Sequence, residues 1–225
     1  KMVRYKQAGR GGTGTVLRNK RIKAIVVKLS HMDAETNNPA HSDVLKDVGP
    51  AYNREIRALD PKQHRMATVG TTHLVDIMND FDLLPTNNFK FGSHPDGPKL
   101  GEKVYDLKFH RGFDGCWVGC AVACSHCVKD FEPKTGPYKG QKVCVNGPEY
   151  ETIAGVGSNC GIFDPDWITE MNFYCDAYGI DTISFGTATA FVMECYEMGL
   201  INQKATGGLE LRFGNKDAAM ELIHQ

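Results

Sequence analysis

Cys116, Cys120 and Cys124 crowd a short stretch, with Cys127 just behind them, so that four of the eight cysteines fall within twelve residues. Thiolates are soft ligands, and close spacing suits a metal centre, whereas a disulfide framework needs partners set apart. The small residues in between, Gly119, Ala121 and Ala123, let the backbone approach a cluster's sulfides. An Fe–S cluster fits this spacing, and zinc is the other candidate. A buried, inert thiol explains one such cysteine well and three of them poorly. Cys127 is either a fourth ligand or a neighbour.

A second chemical segment is Gly147-Pro148-Glu149-Tyr150-Glu151-Thr152, followed by Gly157-Ser158-Asn159-Cys160-Gly161. Two acids separated by one residue are often a solvated turn. Here the apolar run Ile153-Ala154-Gly155-Val156 comes next, which favours entry into the interior and partial burial of Glu151. The third segment, Cys175 to Ser184, contains Asp176, Gly179, Ile180 and Asp181. Asp181 stands where a helix cap is wanted, so a structural role competes with a ligand-binding one.

These segments need elements to hold them. The spacing predicts a helix over Asp164–Tyr178, with Asp164 as cap, Pro165 in the first helical position and Gly179 closing the end. Trp167, Met171, Tyr174, Cys175 and Tyr178 share one face of it. A second helix, with Ala188, Phe191, Val192, Cys195 and Tyr196 on its buried side, stops at Gly199. A helical pattern begins near Asp43, and Leu74, Val75, Ile77, Met78 and Phe81 form an apolar stripe that ends before Pro85. Lys23–Lys28 is a β-branched run that reads as a strand, preceded by a glycine-rich turn at residues 9–15. The stretches 86–103 and 132–147 are rich in loop formers and read as loops.

With 26 basic and 27 acidic residues in 225, the chain offers no electrostatic reason to expect nucleic acid or an anionic membrane as partner. No apolar run approaches a membrane span. Cys160, Cys175 and Cys195 lie within apolar patterns, so the cysteine usage points to a reducing compartment and a cytoplasmic location. The first residues do not read as a natural start, and Ala218–Gln225 reads as a helix cut in mid-turn. The expectation is a portion of a longer chain.

Taken in order, the motifs resemble the aldehyde:ferredoxin oxidoreductases, tungsten (sometimes molybdenum) enzymes with a bis-pterin cofactor. The resemblance runs through Ala8-Gly9-Arg10-Gly11-Gly12, Lys23–Val26, Gly70-Thr71, Asn88-Phe89, the cysteine loop, and the block from Pro148 to Glu197. It implies a mainly α fold, the helical middle domain of such an enzyme (residues 36–225), preceded by the tail of a β-containing N-terminal pterin-binding domain (residues 1–35). It implies that Cys116, Cys120 and Cys124 hold a [4Fe–4S] cluster whose fourth ligand lies downstream in a third domain. Glu151 matches the near-metal carboxylate that handles a proton, while Arg10, Gly11, Gly12, Asp176, Gly179, Ile180 and Asp181 match the stretches that meet the pterin. Magnesium is a further candidate ion.

Three departures from the family pattern stand out. Cys116 lies one residue further from Cys120 than is usual. The Glu-x-x-His motifs that bridge some homodimers through a metal are broken, with Phe173 and Met220 where imidazoles belong, so a metal-bridged homodimer is not expected. The loop between Cys124 and Glu151 is longer than in the simplest members, which suits contact with an electron-transfer subunit. The activity implied is oxidation of an aldehyde to the carboxylic acid, with electrons leaving singly to a ferredoxin or an Fe–S partner subunit. The tungsten subunit of a benzoyl-CoA reductase and a non-catalytic Fe–S electron-transfer subunit are the alternatives.

Overall fold

The computed structural model describes residues 9–28, 39–116 and 119–225. Helix α1 (Thr13–Asn19) and the long α2 (Ser42–Gln63) come first, and neither buries a residue. A short α3 (Met66–Val69) passes through a 3₁₀ turn at Gly70–His73 into α4 (Leu74–Asp80). After α5 (Glu102–Lys108) come three strands, β1 (Arg111–Phe113), β2 (His126–Phe131) and β3 (Val143–Asn146). One turn of helix, α6 (Tyr150–Thr152), runs into a π-helical turn at Ile153–Gly157. Three helices complete the chain: α7 (Pro165–Tyr178), α8 (Thr182–Glu197) and α9 (Lys216–His224). The fold is mainly α with one small antiparallel sheet, in the order β1-β2-β3.

The ends of α7 are built as the sequence indicates. The Asp164 carboxylate accepts from the backbone N–H groups of Asp166 and Trp167, at 3.1 and 3.3 Å. Gly179 takes the left-handed conformation at φ 74°, and Ile180 N–H closes the turn on the Cys175 carbonyl at 2.8 Å. The expected single apolar face is exceeded, because every residue from Trp167 to Cys175 is buried. Burying Ile168, Met171, Phe173 and Tyr174 contributes roughly 1.5–3 kcal/mol apiece for side chains of this size. The polar side chains on the same helix are all bonded. Thr169 Oγ1 donates to the Pro165 carbonyl at 2.7 Å, and Asn172 Nδ2 donates to the Asn146 carbonyl at 2.5 Å. Glu170 Oε1 accepts from the Lys134 and Thr135 amides and from the Thr135 hydroxyl. Trp167 Nε1 donates to the Lys216 carbonyl at 2.9 Å and ties α9 to the centre.

The sheet departs from the sequence reading. β3 lies inside the stretch expected to be loop, and β2 contains Cys127. Val128 faces Val145 and Phe131 faces Val143, with an irregularity between them where Asp130 takes φ 54°. The strands are short, and their partners lie far apart in sequence, which leaves little local periodicity to detect. Conversely, Lys23–Lys28 forms no ladder among the described residues, and Ile25, Val26 and Val27 are exposed. A strand needs a neighbour for its hydrogen bonds, and β propensity alone does not supply one. The expected domain boundary at residues 35/36 lies outside the described residues.

Helix α8 forms where expected, capped by Asp181, but it is rotated relative to the expected face. Ala188 and Phe191 are exposed, and the buried residues are Gly186, Thr189, Ala190 and Met193. The reason is a close approach of backbones. A Cβ on Gly186 would stand 2.5 Å from the Gly155 carbonyl oxygen, so only glycine lets α8 lie against the π turn. Gly186→Ala should therefore destabilise the fold by about 1–3 kcal/mol through overpacking, seen as a lower urea midpoint at unchanged m-value. Gly14→Ala, whose added methyl meets nothing within 4 Å, should be neutral or mildly stabilising. A parent-like midpoint for Gly186→Ala would show that this contact is loose in solution.

Candidate functional site

The β1–β2 hairpin carries the cysteines at its tip. Asp114 N–H donates to the Ser125 carbonyl at 3.0 Å, closing the mouth of the loop. Cys116, Cys120 and Cys124 line one pocket of about 170 Å³ with Asp114, Ala123 and Ser125. Cys116 is exposed, and the other two are half-buried. Residues 117–118 lie outside the described residues. Burial pushes the Cys124 thiol above its ordinary pKa, and the nearby Glu149, Cys120 and Cys116 add to the shift. Cys127 does not line this pocket. It is fully buried on β2, with its Sγ 3.9 Å from the Phe113 carbonyl oxygen.

A second cavity, of about 210 Å³, opens where α7 ends and α8 begins. Asp176, Ile180 and Asp181 line it, as do Gly9, Asn146, Glu149 and Asn172. Asp181 spans structure and site together. Its Oδ2 caps α8 by accepting from the Ser184 amide (2.9 Å) and hydroxyl (2.6 Å), and it also pairs with Arg10 Nε at 3.3 Å. Against burial, which raises its pKa, these hydrogen bonds hold Asp181 below the ordinary carboxylate range. Gly9 packs directly on it, since a Cβ there would stand 2.9 Å from the Asp181 nitrogen. Gly11 and Gly12 do not reach the cavity; both have positive φ, 82° and 73°, and a Cβ on either would meet nothing within 4 Å. Gly179 likewise shapes the turn and is not part of the wall. Burial pushes the Cys175 thiol up to about 12, with Asp176 and Asp181 contributing.

The two acids of the 147–152 segment change places relative to the sequence reading. Glu151 is exposed and lines neither pocket, so the expected partial burial does not occur. In a helix, residues two apart point to nearly opposite faces, so the buried Ile153 carries Glu151 outward. Glu149 is the half-buried one. Its Oε2 accepts from the Thr71 hydroxyl at 2.5 Å, and the same Thr71 oxygen accepts from the Tyr150 amide at 2.8 Å. Burial raises the Glu149 pKa and nearby Glu151 adds to the rise, against the lowering influence of the Thr71 hydroxyl, the neighbouring His126 and the Arg111 guanidinium.

Glu149, Gly9, Asn146 and Asn172 are cavity residues that the sequence reading missed. Asn172 had a signal, because it lies four residues before Asp176 on one helix face. Asn146 had none, since it is placed by the bond that Asn172 makes to its carbonyl. The residues at the sites of the family's bridging-metal motif, Glu170, Phe173 and Met220, are all buried, with the Glu170 carboxylate engaged by the Lys134–Thr135 loop.

Residues 47–225 match the family model for aldehyde ferredoxin oxidoreductase, domains 2 and 3. The chain is 33% identical over 224 residues to the tungsten-containing aldehyde ferredoxin oxidoreductase of Pyrococcus horikoshii, covering 98% of this chain and 35% of that protein. It is 32% identical over 224 residues to the protein of the same name from Pyrococcus abyssi, with the same 98% and 35% coverage. Similarity extends at 27% identity over 219 residues to the aliphatic sulfonate oxidoreductase, WOR-like subunit, of Pyrococcus furiosus, covering 96% of this chain and 33% of that one. The chain thus spans about a third of the length of the curated relatives it matches. With a family model over most of its length and relatives above 30% identity over nearly all of it, this chain belongs to the aldehyde ferredoxin oxidoreductase family.

Proposed function

We propose that the protein oxidises an aldehyde to the carboxylic acid at a tungsten–bis-pterin centre and passes the electrons singly through a [4Fe–4S] cluster to a ferredoxin or an Fe–S partner subunit. The observation that carries this reading is that one short segment joins the two pockets in a chain of this family. Gly147 N–H donates to the His126 carbonyl at 2.8 Å, two residues beyond Cys124, while Glu149 and Thr152 line the second cavity. Two redox groups held by these walls would lie close together.

Cys116, Cys120 and Cys124 would hold the cluster. The fit rests on the donor set, three soft thiols on the wall of one pocket. No three His, Cys, Asp or Glu side chains among the described residues converge as a single ion requires. A four-iron cluster binds each thiolate to its own iron and makes no such demand.

The second cavity is lined by three residues with carboxylates, Glu149, Asp176 and Asp181, and by the carboxamide residues Asn146 and Asn172. Such a wall suits a heterocycle rich in N–H donors, as a pterin is. Asp176, Ile180 and Asp181 would hold it, with the Arg10 guanidinium fixing Asp181 from outside. When bound, the tungsten–pterin group supplies the two-electron chemistry that no side chain here can provide. Turning an aldehyde into an acid releases protons as well as electrons, and Glu151 is the carboxylate we assign to accept one. It stands on the same short helix as Thr152, which lines the cavity.

In the full-length protein purified without oxygen, Cys124→Ser should lose the cluster's iron and its EPR signal, whereas Cys127→Ala should keep both. The reverse pattern would overturn the ligand assignment. Glu151→Gln should retain tungsten and iron while aldehyde-dependent reduction of a low-potential dye falls by about 10²–10⁴-fold. A fully loaded variant turning over at the parent rate would remove Glu151 from the reaction.

A further inference from the structure

The segment that joins the two pockets carries a carboxylate, Glu149, that the proposed function uses only as part of the cavity wall. Glu149 lines the cavity, and its carboxylate is clamped by Thr71, whose hydroxyl donates to Oε2 at 2.5 Å while its oxygen accepts from Tyr150 N–H. Gly70, next to Thr71, is pressed onto the cysteine loop. A Cβ on it would stand 2.7 Å from His126 Nδ1 and 3.0 Å from the Cys124 carbonyl oxygen. That carbonyl accepts from His126 Nδ1–H at 2.9 Å. The backbone before Glu149 is tied to the same place, because Gly147 N–H donates to the His126 carbonyl. Both handles on the carboxylate therefore lead to Cys124.

A half-buried charge held in this way is screened less than a surface charge. The reduction potential of an Fe–S cluster depends on the charges and hydrogen bonds around it, and reduction adds one negative charge to the cluster.

We propose that Glu149, clamped by Thr71 between the cysteine loop and the cavity, sets the reduction potential of the cluster by making its reduced state harder to reach. The inference rests on the reading of Cys116, Cys120 and Cys124 as cluster ligands. Its test is an EPR-monitored redox titration of the full-length holoprotein. Glu149→Gln keeps an oxygen to accept from Thr71 and removes the charge, so the midpoint should shift to a more positive potential with iron content and signal shape retained. Glu210→Gln removes the same charge from a side chain that is 49% exposed and paired with Arg212, and should leave the midpoint in place. An unshifted midpoint in Glu149→Gln would overturn the inference while leaving the cluster reading intact. So would a shift that comes with lost iron or an altered signal, since that is a structural effect. A parent protein with no cluster signal would overturn the cluster reading, and the inference with it.

Discussion

Burial of α7 on nearly every side requires its polar side chains to find partners inside the protein, because an unbonded polar group in the interior costs about 1–3 kcal/mol. The partners it finds lay out much of the rest. Glu170 gathers the backbone of Lys134 and Thr135, which fixes the long connection between β2 and β3. Asn172 takes the carbonyl of Asn146, which fixes the end of β3 and the start of the 147–152 segment. At the C-terminal end of the helix Asp176 faces the cavity, and the left-handed Gly179 swings the chain so that Asp181 can cap α8 and pair with Arg10.

The site follows from that arrangement. A β-hairpin presents three thiols at its tip, a helix corner presents carboxylates, and the strand end between them is held by α7. Each wall is made of groups already fixed by structural bonds. Asp181 is bonded by Ser184, Glu149 by Thr71, and the Cys124 carbonyl by His126. Fixed dipoles and charges of this kind cost no reorganisation when a charged ligand or an electron arrives.

Signals that reside in neighbouring residues were legible in the sequence. Asp164, Pro165 and Gly179 delimit α7 because caps and turns act over a few residues. The cysteine spacing marked a pocket that the structure assembles from the same three thiols. Features set by distant contacts were not legible. The buried face of α8 is chosen by the backbone contact of Gly186 with Gly155, some thirty residues away, and not by its own apolar pattern. Likewise, which of Glu149 and Glu151 turns inward depends on where the short α6 begins, since Glu149 lies just before the helix in extended conformation and Glu151 on its outer face. Gly70 illustrates the same limit: its φ of 70° and its contact with the Cys124 carbonyl come from a loop that sequence spacing cannot place.

Two redox centres of different kinds in neighbouring pockets would scatter X-rays differently. Anomalous-difference maps from crystals of the full-length holoprotein, collected at the iron and tungsten edges, would locate both. Iron is expected against Cys116, Cys120 and Cys124, and tungsten beside the cavity lined by Asp176 and Asp181. Zinc instead of iron at the cysteines, or no heavy scatterer near that cavity, would contradict this assignment.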